Sequence, residues 1–427
     1  MSKGLKLAFR MIFCSACLVF VLSIGFLHPE TNDSVEYQKA AHNLLKNNLL
    51  YAGEISKHLD YRLFSKRTAG YPLFLILQNN RLWVIGIASA FLILLNYFLG
   101  LSVLNTLTKK TNAKYVYSWF FLLNVPLFLH ASFVMADLLL ASIINLAAFV
   151  YFQKQTSWPK KIVVLSVLWC LGVLVKPVIL PSILLCPIVF AYLGFKQRKF
   201  YFSSLLPGLV LLLVSLANQH QTGVFEYSSI STINLGQYNS KLLVSEKYGY
   251  DSAQSYASRG EFVVPRTQNE YLDYKKNLQS LATETIFTNW PSYLKIHLLG
   301  SIKMILDPGR YELYTFLGIT PSSFSLTEMV YAKDWQKLNR FMISNIGVLL
   351  LFTVLFIVNV FKFLFFAFGL KELREHLFFS FIFLYFFAVV GPVGAARFML
   401  PISVLYLVFC SIGWTRVSDF FQKRSKG

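Results

Sequence analysis

Charged residues are scarce in this sequence. Asp, Glu, Lys and Arg make up 14% of the 427 residues, whereas a typical soluble domain carries about 25%. Cysteine is scarcer still: there are 5, all within apolar runs, and their spacing offers neither a disulfide framework nor paired CxxC metal-binding motifs. These shortages exclude an ordinary soluble domain, a disulfide-rich scaffold and a cysteine-based metal site.

Apolar residues are abundant instead. Hydrophobic residues make up 56% of the chain and aromatic residues 17%, and they collect in runs such as 377-LFFSFIFLYFFAVV-390. A helix of about 20 apolar residues crosses the roughly 30 Å hydrocarbon core of a bilayer. The runs therefore predict an all-α polytopic membrane protein with ten spans, near residues 8–27, 82–107, 114–131, 134–152, 161–178, 179–195, 201–217, 343–368, 377–393 and 399–415.

Basic residues outnumber acidic ones by 40 to 20, which gives a net charge of +20. In a soluble protein this excess would suggest a nucleic acid partner. Here the Lys and Arg residues cluster between spans, as at Lys109, Lys110 and Lys114, and the positive-inside rule assigns such loops to the cytoplasm. No nucleic acid partner is therefore expected, and an even number of spans places both termini in the cytoplasm. The N-terminal run lacks an A-x-A-like cleavage site and is interpreted as the first span.

Two long polar segments then lie on the opposite side of the membrane. In residues 28–81, apolar residues recur at helical spacing from Val35 to Leu45, which predicts a helix at the membrane surface. Residues 218–342 are polar and rich in tyrosine and match no pattern that assigns them a role. The predicted organisation is an N-terminal membrane module at 1–217 containing the first-loop segment 28–81, an external segment at 218–342, and C-terminal membrane helices at 343–427.

Several charged residues stand at span ends on this external side. Asp33 follows the first span, and Asp137 begins the fourth. An acidic residue at a membrane boundary indicates function, because its burial is costly; helix capping or simple solvation is the alternative. The cations Arg67, Lys176 and Arg397 lie on the same side, against the general bias. Such cations suit a phosphate at headgroup depth, and snorkelling to lipid is the alternative.

Five stretches carry a resemblance to a known family, and they occur in the family's order. They are 32-NDSVEYQKAA-41, 66-KRTAGYPLFLIL-77, 135-MADLLLASIINLA-147, 170-CLGVLVKPVILP-181 and 395-AARFMLPISVL-405. Together they resemble the GT-C glycosyltransferases, polytopic enzymes that use a polyprenyl-phosphate sugar. The similar bacterial branch includes protein O-mannosyltransferases, lipid A aminoarabinose transferases and core-modifying uronosyltransferases. The resemblance implies a helical bundle with an interfacial helix in the first loop and a larger, mixed external segment.

The resemblance also implies roles for individual residues. Asp33 would be the catalytic acidic residue of the first loop, and Asp137 the second acidic residue. Donor phosphate would contact Arg67 and Arg397, with Lys176 at a further basic position. The substrate-binding residues would also include Glu36, Tyr37 and Tyr71.

Metal use varies within this family, and the sequence leaves it open. Glu36 stands where the family sometimes has a basic residue, so it either joins Asp33 in a divalent-cation or acceptor site or lies on the outer face of the helix. His28, His42 and His130 lie near the acidic residues, but no HExxH-like spacing is present. A divalent cation is therefore a candidate cofactor without a recognisable motif.

The function predicted from the resemblance is transfer of one sugar from a polyprenyl-phosphate donor to an acceptor on the periplasmic side of the bacterial inner membrane. The acceptor would be a surface glycolipid, an O-antigen or lipopolysaccharide unit, or a protein, and membrane lipid would surround the enzyme. One alternative is an O-antigen ligase or polymerase, which places its key residues in a long external loop. Another is a lipid-linked sugar flippase or other transporter, which the absence of internal repeats disfavours.

Overall fold

A computed structural model describes most of the chain: residues 3–22, 31–180, 195, 201–249, 252–253, 255–256, 264–318, 335–389 and 391–425. Across these residues the chain forms helices and no strand, which confirms the prediction of an all-α fold. Six described helices are long and apolar enough to cross a membrane: Gly4–Leu22, Leu82–Leu107, Trp158–Val175, Phe202–Thr222, Ile346–Arg374 and Ala396–Arg424. The protein is therefore a multi-pass membrane protein.

The spans agree with the predicted ones to different degrees. Leu82–Leu107 has the predicted bounds, and two shorter apolar helices, Asp137–Phe152 and Leu377–Val389, occupy two other predicted spans. The predicted span at 114–131 is interrupted. It forms two helices, Thr111–Leu122 and Val125–Leu129, because Pro126 cannot continue a helix and instead starts a new one. The predicted span at 179–195 lies almost entirely outside the described residues.

The remaining helices lie in the polar segments 28–81 and 218–342 and their connections. They are Asn32–Asn47, Gly70–Leu77, Ile230–Ile233, Lys241–Tyr248, Gln268–Thr288, Trp290–Leu306, Arg310–Phe316 and Trp335–Ser344, with a π-helix at Asn234–Ser240. Short 3-10 turns occur at Tyr61–Leu63, Pro177–Ile179, Phe202–Leu205, Gly391–Val393 and Ala396–Met399. The described part of residues 218–342 is thus helical rather than mixed.

The helix Leu400–Arg424, here called the last helix, lies at the centre of the bundle. It packs against Ile346–Arg374, Asp137–Phe152, Thr111–Leu122 and Leu82–Leu107, and every residue from Leu400 to Gly413 is buried. Its contact with Ile346–Arg374 is close because Gly413 and Gly369 face the opposing backbone. A Cβ atom at either glycine would collide with the carbonyl oxygen of Phe365 or Phe409.

Polar side chains join two neighbouring helices inside the bundle. Asn96 Nδ2 donates to Ser142 Oγ at 2.7 Å, and Asn145 Nδ2 donates to Asn96 Oδ1 at 2.5 Å. All three residues are buried, where a polar group is costly unless it is hydrogen-bonded. The network fixes the register of Leu82–Leu107 against the helix that begins at Asp137.

The helix Asn32–Asn47, here called the first-loop helix, begins at a side-chain cap. Thr31 Oγ1 accepts a hydrogen bond from the Ser34 backbone N–H at 3.0 Å, and Asp33 lies in the first turn. The helix packs against Gly70–Leu77 through a face that includes Tyr37. Leu45, predicted to lie on the apolar face, is instead exposed. The buried face is set by contacts with neighbouring helices, which the periodicity of this short polar segment does not reveal.

Candidate active site

The first-loop helix and the end of the first loop form a cluster of charges. Asp33 and Glu36 lie about one helical turn apart and therefore share a face. Arg67 Nη2 lies 2.6 Å from Asp33 Oδ1, and Arg67 Nε donates to Glu36 Oε2 at 2.8 Å. Lys66 Nζ lies 2.6 Å from Glu36 Oε1. The two carboxylates that the sequence places side by side are thus held together by the two adjacent cations Lys66 and Arg67.

Two buried tyrosines support Arg67. The Arg67 guanidinium lies over the Tyr37 ring, 4.7 Å from its centroid, and Tyr37 meets Tyr71 edge to face with the ring centroids 4.8 Å apart. Both rings are only 2% exposed, and burial raises the pKa of Tyr37 to about 12, so this phenol is neutral. The sequence predicted substrate contacts for both tyrosines; the structure places Tyr37 against Arg67 and Tyr71 against Tyr37.

Arg397 joins this cluster from the other end of the chain. It lies in the turn Ala396–Met399, and its Nη1 is 3.2 Å from Asp33 Oδ2, across a sequence separation of 364 residues. Asp33 is therefore bridged between Arg67 and Arg397. Burial alone would raise the pKa of Asp33, but the positive charges of Arg67, Arg397 and Lys176 outweigh it and hold the pKa at about 2.

A second ion pair lies at the ends of two adjacent helices. Asp137 begins Asp137–Phe152, Lys176 follows Trp158–Val175, and Lys176 Nζ is 2.5 Å from Asp137 Oδ1. The charge of Lys176 acts on Asp33 and that of Asp137 acts on Tyr37, so the pair belongs to the same site.

The ion pairs of the site contain more cations than carboxylates. The four cations Lys66, Arg67, Lys176 and Arg397 face the three carboxylates of Asp33, Glu36 and Asp137. The positive excess favours an anionic ligand.

Residues of the 218–342 segment hold the loop that carries Arg67. Glu226 is buried and accepts hydrogen bonds from Ser65 Oγ at 2.8 Å and from Tyr271 Oη at 2.5 Å, while Lys275 Nζ lies 2.6 Å from its other oxygen. The hydroxyl of Ser228 also donates to the Lys66 carbonyl at 3.3 Å. The position of Lys66 and Arg67 therefore depends on residues of the 218–342 segment.

The residues considered for a divalent cation lie in different surroundings. The carboxylate oxygens of Asp33 and Glu36 each contact Lys66, Arg67 or Arg397. His42 is exposed, His130 is buried with Nδ1 3.0 Å from the Pro126 carbonyl oxygen, and His28 lies outside the described residues. Among the residues that the structure describes, no group of three or more His, Cys, Asp and Glu side chains is placed to hold a metal ion.

Sequence reasoning did not assign several charged residues that the structure brings to or beside the site. Lys66 carried a signal, since it stands next to Arg67 before the Gly-Tyr-Pro motif. Asp307, Glu226 and Glu312 carried none, because the segment 218–342 has no pattern that distinguishes buried acidic residues from solvated ones. The burial of Glu226 and Glu312 is a property of tertiary packing, and the half-buried Asp307 is placed by its contacts with backbone N–H groups.

We expect the protein to be less stable when one member of the ion pair Asp137–Lys176 is removed than when both are removed. Replacing Lys176 with methionine leaves a buried carboxylate without its cation, and breaking a buried ion pair in this way costs about 3–5 kcal/mol. The variant Lys176→Met should therefore lower the midpoint of thermal unfolding in detergent, and the double variant Asp137→Asn/Lys176→Met should recover most of the loss. The control Lys39→Met removes the cation of an exposed pair with Glu54 and should have little effect. Equal effects of Lys176→Met and Lys39→Met would contradict this expectation.

Comparisons with known proteins give few matches. No family model and no curated protein matches the sequence. The structure is similar to that of ArnT from Cupriavidus metallidurans bound to undecaprenyl phosphate, with 12% identity over 97% of this chain and 78% of that chain and a TM-score of 0.39. The apo structure of the same ArnT gives 13% identity, coverage of 95% and 77%, and a TM-score of 0.40. Since both TM-scores are below 0.5, the activity proposed below depends on the geometry of the site.

Proposed function

We propose that this protein is a GT-C-type glycosyltransferase of the bacterial inner membrane. It moves one sugar from a polyprenyl-phosphate donor to an acceptor hydroxyl on the periplasmic side, with inversion at the anomeric carbon. The acceptor is a surface glycolipid, an O-antigen or lipopolysaccharide unit, in preference to a protein. Both termini then lie in the cytoplasm.

One observation carries this proposal: Arg67 and Arg397, from opposite ends of the chain, meet at the two oxygens of Asp33. Arginine is well suited to hold a phosphate, because its planar fork matches two phosphate oxygens. In such a site the two arginines can bind the phosphate, and the carboxylate between them can accept a proton. Lys176, which pairs with Asp137 in the same site, adds a further positive charge.

The reaction that fits these groups is a direct displacement. The acceptor hydroxyl forms a bond to the anomeric carbon while the bond from that carbon to the phosphate oxygen breaks, and the proton of the hydroxyl passes to Asp33. Arg67, Arg397 and Lys176 stabilise the negative charge that develops on the departing lipid phosphate. Asp137 fixes Lys176 and helps to place the acceptor.

The low pKa of Asp33 is consistent with this role. Its pKa of about 2 is due to Arg67, Arg397 and Lys176 acting against burial. When a phosphate engages these cations, their effect on Asp33 decreases while its burial remains, so its pKa rises toward the range useful for a general base. Binding of the donor thus activates the base.

Two measurements on the purified protein in lipid nanodiscs test the proposal. The protein should bind undecaprenyl phosphate and should bind undecaprenol, which lacks the phosphate, at least tenfold more weakly, since one charged contact is worth about 1.5–3 kcal/mol. Incubation with polyprenyl-phosphoryl sugars and a bacterial membrane acceptor fraction should release free polyprenyl phosphate as the labelled sugar enters the acceptor. Equal binding of the two lipids, or no transfer of label with any donor of this class, would contradict the proposal.

A further inference from the structure

Glu312 is a buried carboxyl group beside the site, and the proposed mechanism does not use it. It lies in the short helix Arg310–Phe316 and is 1% exposed. Neither of its carboxyl oxygens makes a hydrogen bond to a described group. The backbone N–H groups of Glu312 and Arg397 lie near enough to favour its charged form but not in hydrogen-bonding geometry. A buried carboxyl without partners is costly and requires an explanation.

The turn before this helix fixes Glu312 relative to Arg397. Asp307 Oδ2 accepts from the backbone N–H of Ala396 at 3.0 Å, and Oδ1 accepts from that of Gly309 at 3.0 Å. Asp307 thereby ties the start of the Glu312 helix to the residue before Arg397. The carboxylate of Asp307 accepts hydrogen bonds from backbone N–H groups and so has a structural role. The carboxyl of Glu312 accepts none and needs a different explanation.

Glu312 and Asp33 are both acted on by the charge of Arg397. The Arg397 guanidinium contacts Asp33 at 3.2 Å, and its positive charge also acts on the carboxyl of Glu312. An ionised Glu312 therefore competes with any anion for Arg397, and a protonated Glu312 does not.

We propose that Glu312 is a positioning residue whose charge determines how strongly Arg397 attracts the phosphate of the donor. This role rests on the proposed function, in which Arg397 holds that phosphate. With Glu312 neutral, Asp33 is the carboxylate that offsets the charge of Arg397, and the remainder of that charge attracts the donor. With Glu312 ionised, part of that charge is already neutralised.

The surroundings of Glu312 set the pH range of this effect. Burial raises the pKa of Glu312 to about 7, with a further increase from the charge of Asp307 and an opposing decrease from Arg397. Among the residues that the structure describes, the segments that pack against its helix are Val125–Met135, Val19–Leu22 and Phe352, and they bring one further titratable side chain, His130. Glu312 is therefore neutral at pH 6 and ionised at pH 8, so donor affinity should fall as pH rises through 7.

A lipid phosphodiester provides the test, since it keeps one negative charge over this range whereas a phosphomonoester titrates near pH 6. Binding of a polyprenyl methyl phosphate to the full-length protein in nanodiscs is measured from pH 6 to pH 8. For the natural protein the Kd should increase about tenfold, the size expected when a second carboxylate offsets the charge of Arg397. The variant Glu312→Gln should bind as tightly as the natural protein at pH 6 and should show less than twofold change with pH. The conservative variant Glu312→Asp should restore a pH dependence, and the exposed control Glu375→Gln should behave as the natural protein does.

Proton uptake gives a second readout that needs no variant. Calorimetric titration at pH 7 in buffers of different ionisation enthalpy should show about half a proton taken up per lipid bound, because binding to Arg397 raises the pKa of Glu312. No uptake by the natural protein, or an unchanged pH dependence in Glu312→Gln, would overturn the role of Glu312 alone. Absence of lipid binding at every pH would instead remove the proposed function, and this role with it.

Discussion

Replacing Asp33 with asparagine is expected to reduce sugar transfer about a thousandfold, within the range of 10²–10⁴ typical for loss of a general base. Asparagine has nearly the same shape as aspartate but cannot accept the proton of the acceptor hydroxyl. The same change removes the carboxylate that Arg67 and Arg397 both contact. The variant should therefore bind undecaprenyl phosphate more tightly while transferring sugar far more slowly.

This combination separates catalysis from general damage, because a misfolded protein would lose binding and transfer together. The matched control is Asp60→Asn in the same loop. Asp60 pairs with Arg62 through three charged hydrogen bonds of 2.8 to 3.1 Å and contacts none of the site cations in these bonds. Its variant should keep sugar transfer within about twofold, because asparagine can still accept the hydrogen bond from the Arg62 backbone N–H. Full transfer by Asp33→Asn, with normal expression and folding, would refute the assignment of Asp33 as the base.

Replacing Arg67 with lysine is expected to reduce kcat/KM for transfer about a hundredfold, although the charge is unchanged. Arg67 reaches Asp33 and Glu36 at the same time through Nη2 and Nε, and its face rests on Tyr37. A lysine ammonium is a single point charge that cannot reproduce this planar geometry. Loss of one preorganised donor to a developing anion typically costs 10²–10³ in rate.

The comparison for this prediction is Arg62→Lys, which makes the same change on the same loop outside the site. The two variants should have similar expression, and Arg62→Lys should retain transfer close to that of the natural protein. Measurement of kcat/KM together with the midpoint of thermal unfolding distinguishes a loss of geometry from a loss of stability. If Arg67→Lys transfers sugar at the natural rate, a positive charge alone suffices, and the bridging geometry has no catalytic role.

The sequence predicts the parts of this protein that bilayer thickness dictates. The helix Leu82–Leu107 has the predicted bounds because a long apolar run has one stable arrangement in a membrane. Hydropathy does not predict the break at Asn124 in the span at 114–131, because it remains high on both sides of Pro126. Only the missing N–H of the proline indicates the break.

The charged residues of the site were recognisable from their position at span ends, but not their partners. Asp33, Arg67 and Arg397 stand out because charge at a membrane boundary is costly. The meeting of Arg67 and Arg397 on one carboxylate depends on how the last helix packs, which no local pattern contains. Glu226 and Glu312 resemble solvated acidic residues in the sequence, and only the packing of the described helices shows them to be buried.

The distance along the chain between Asp33 and Arg397 also has a consequence for biogenesis. Arg67 follows Asp33 by only 34 residues, whereas Arg397 follows it by 364. At about 5–20 residues per second, Arg397 is synthesised roughly 20 to 70 s after Asp33. During that time the nascent protein lacks both Arg397 and the central helix Leu400–Arg424. Arg397 lies in the turn that leads into the last helix, so a chain stalled before this turn lacks both the second arginine and the helix that completes the bundle.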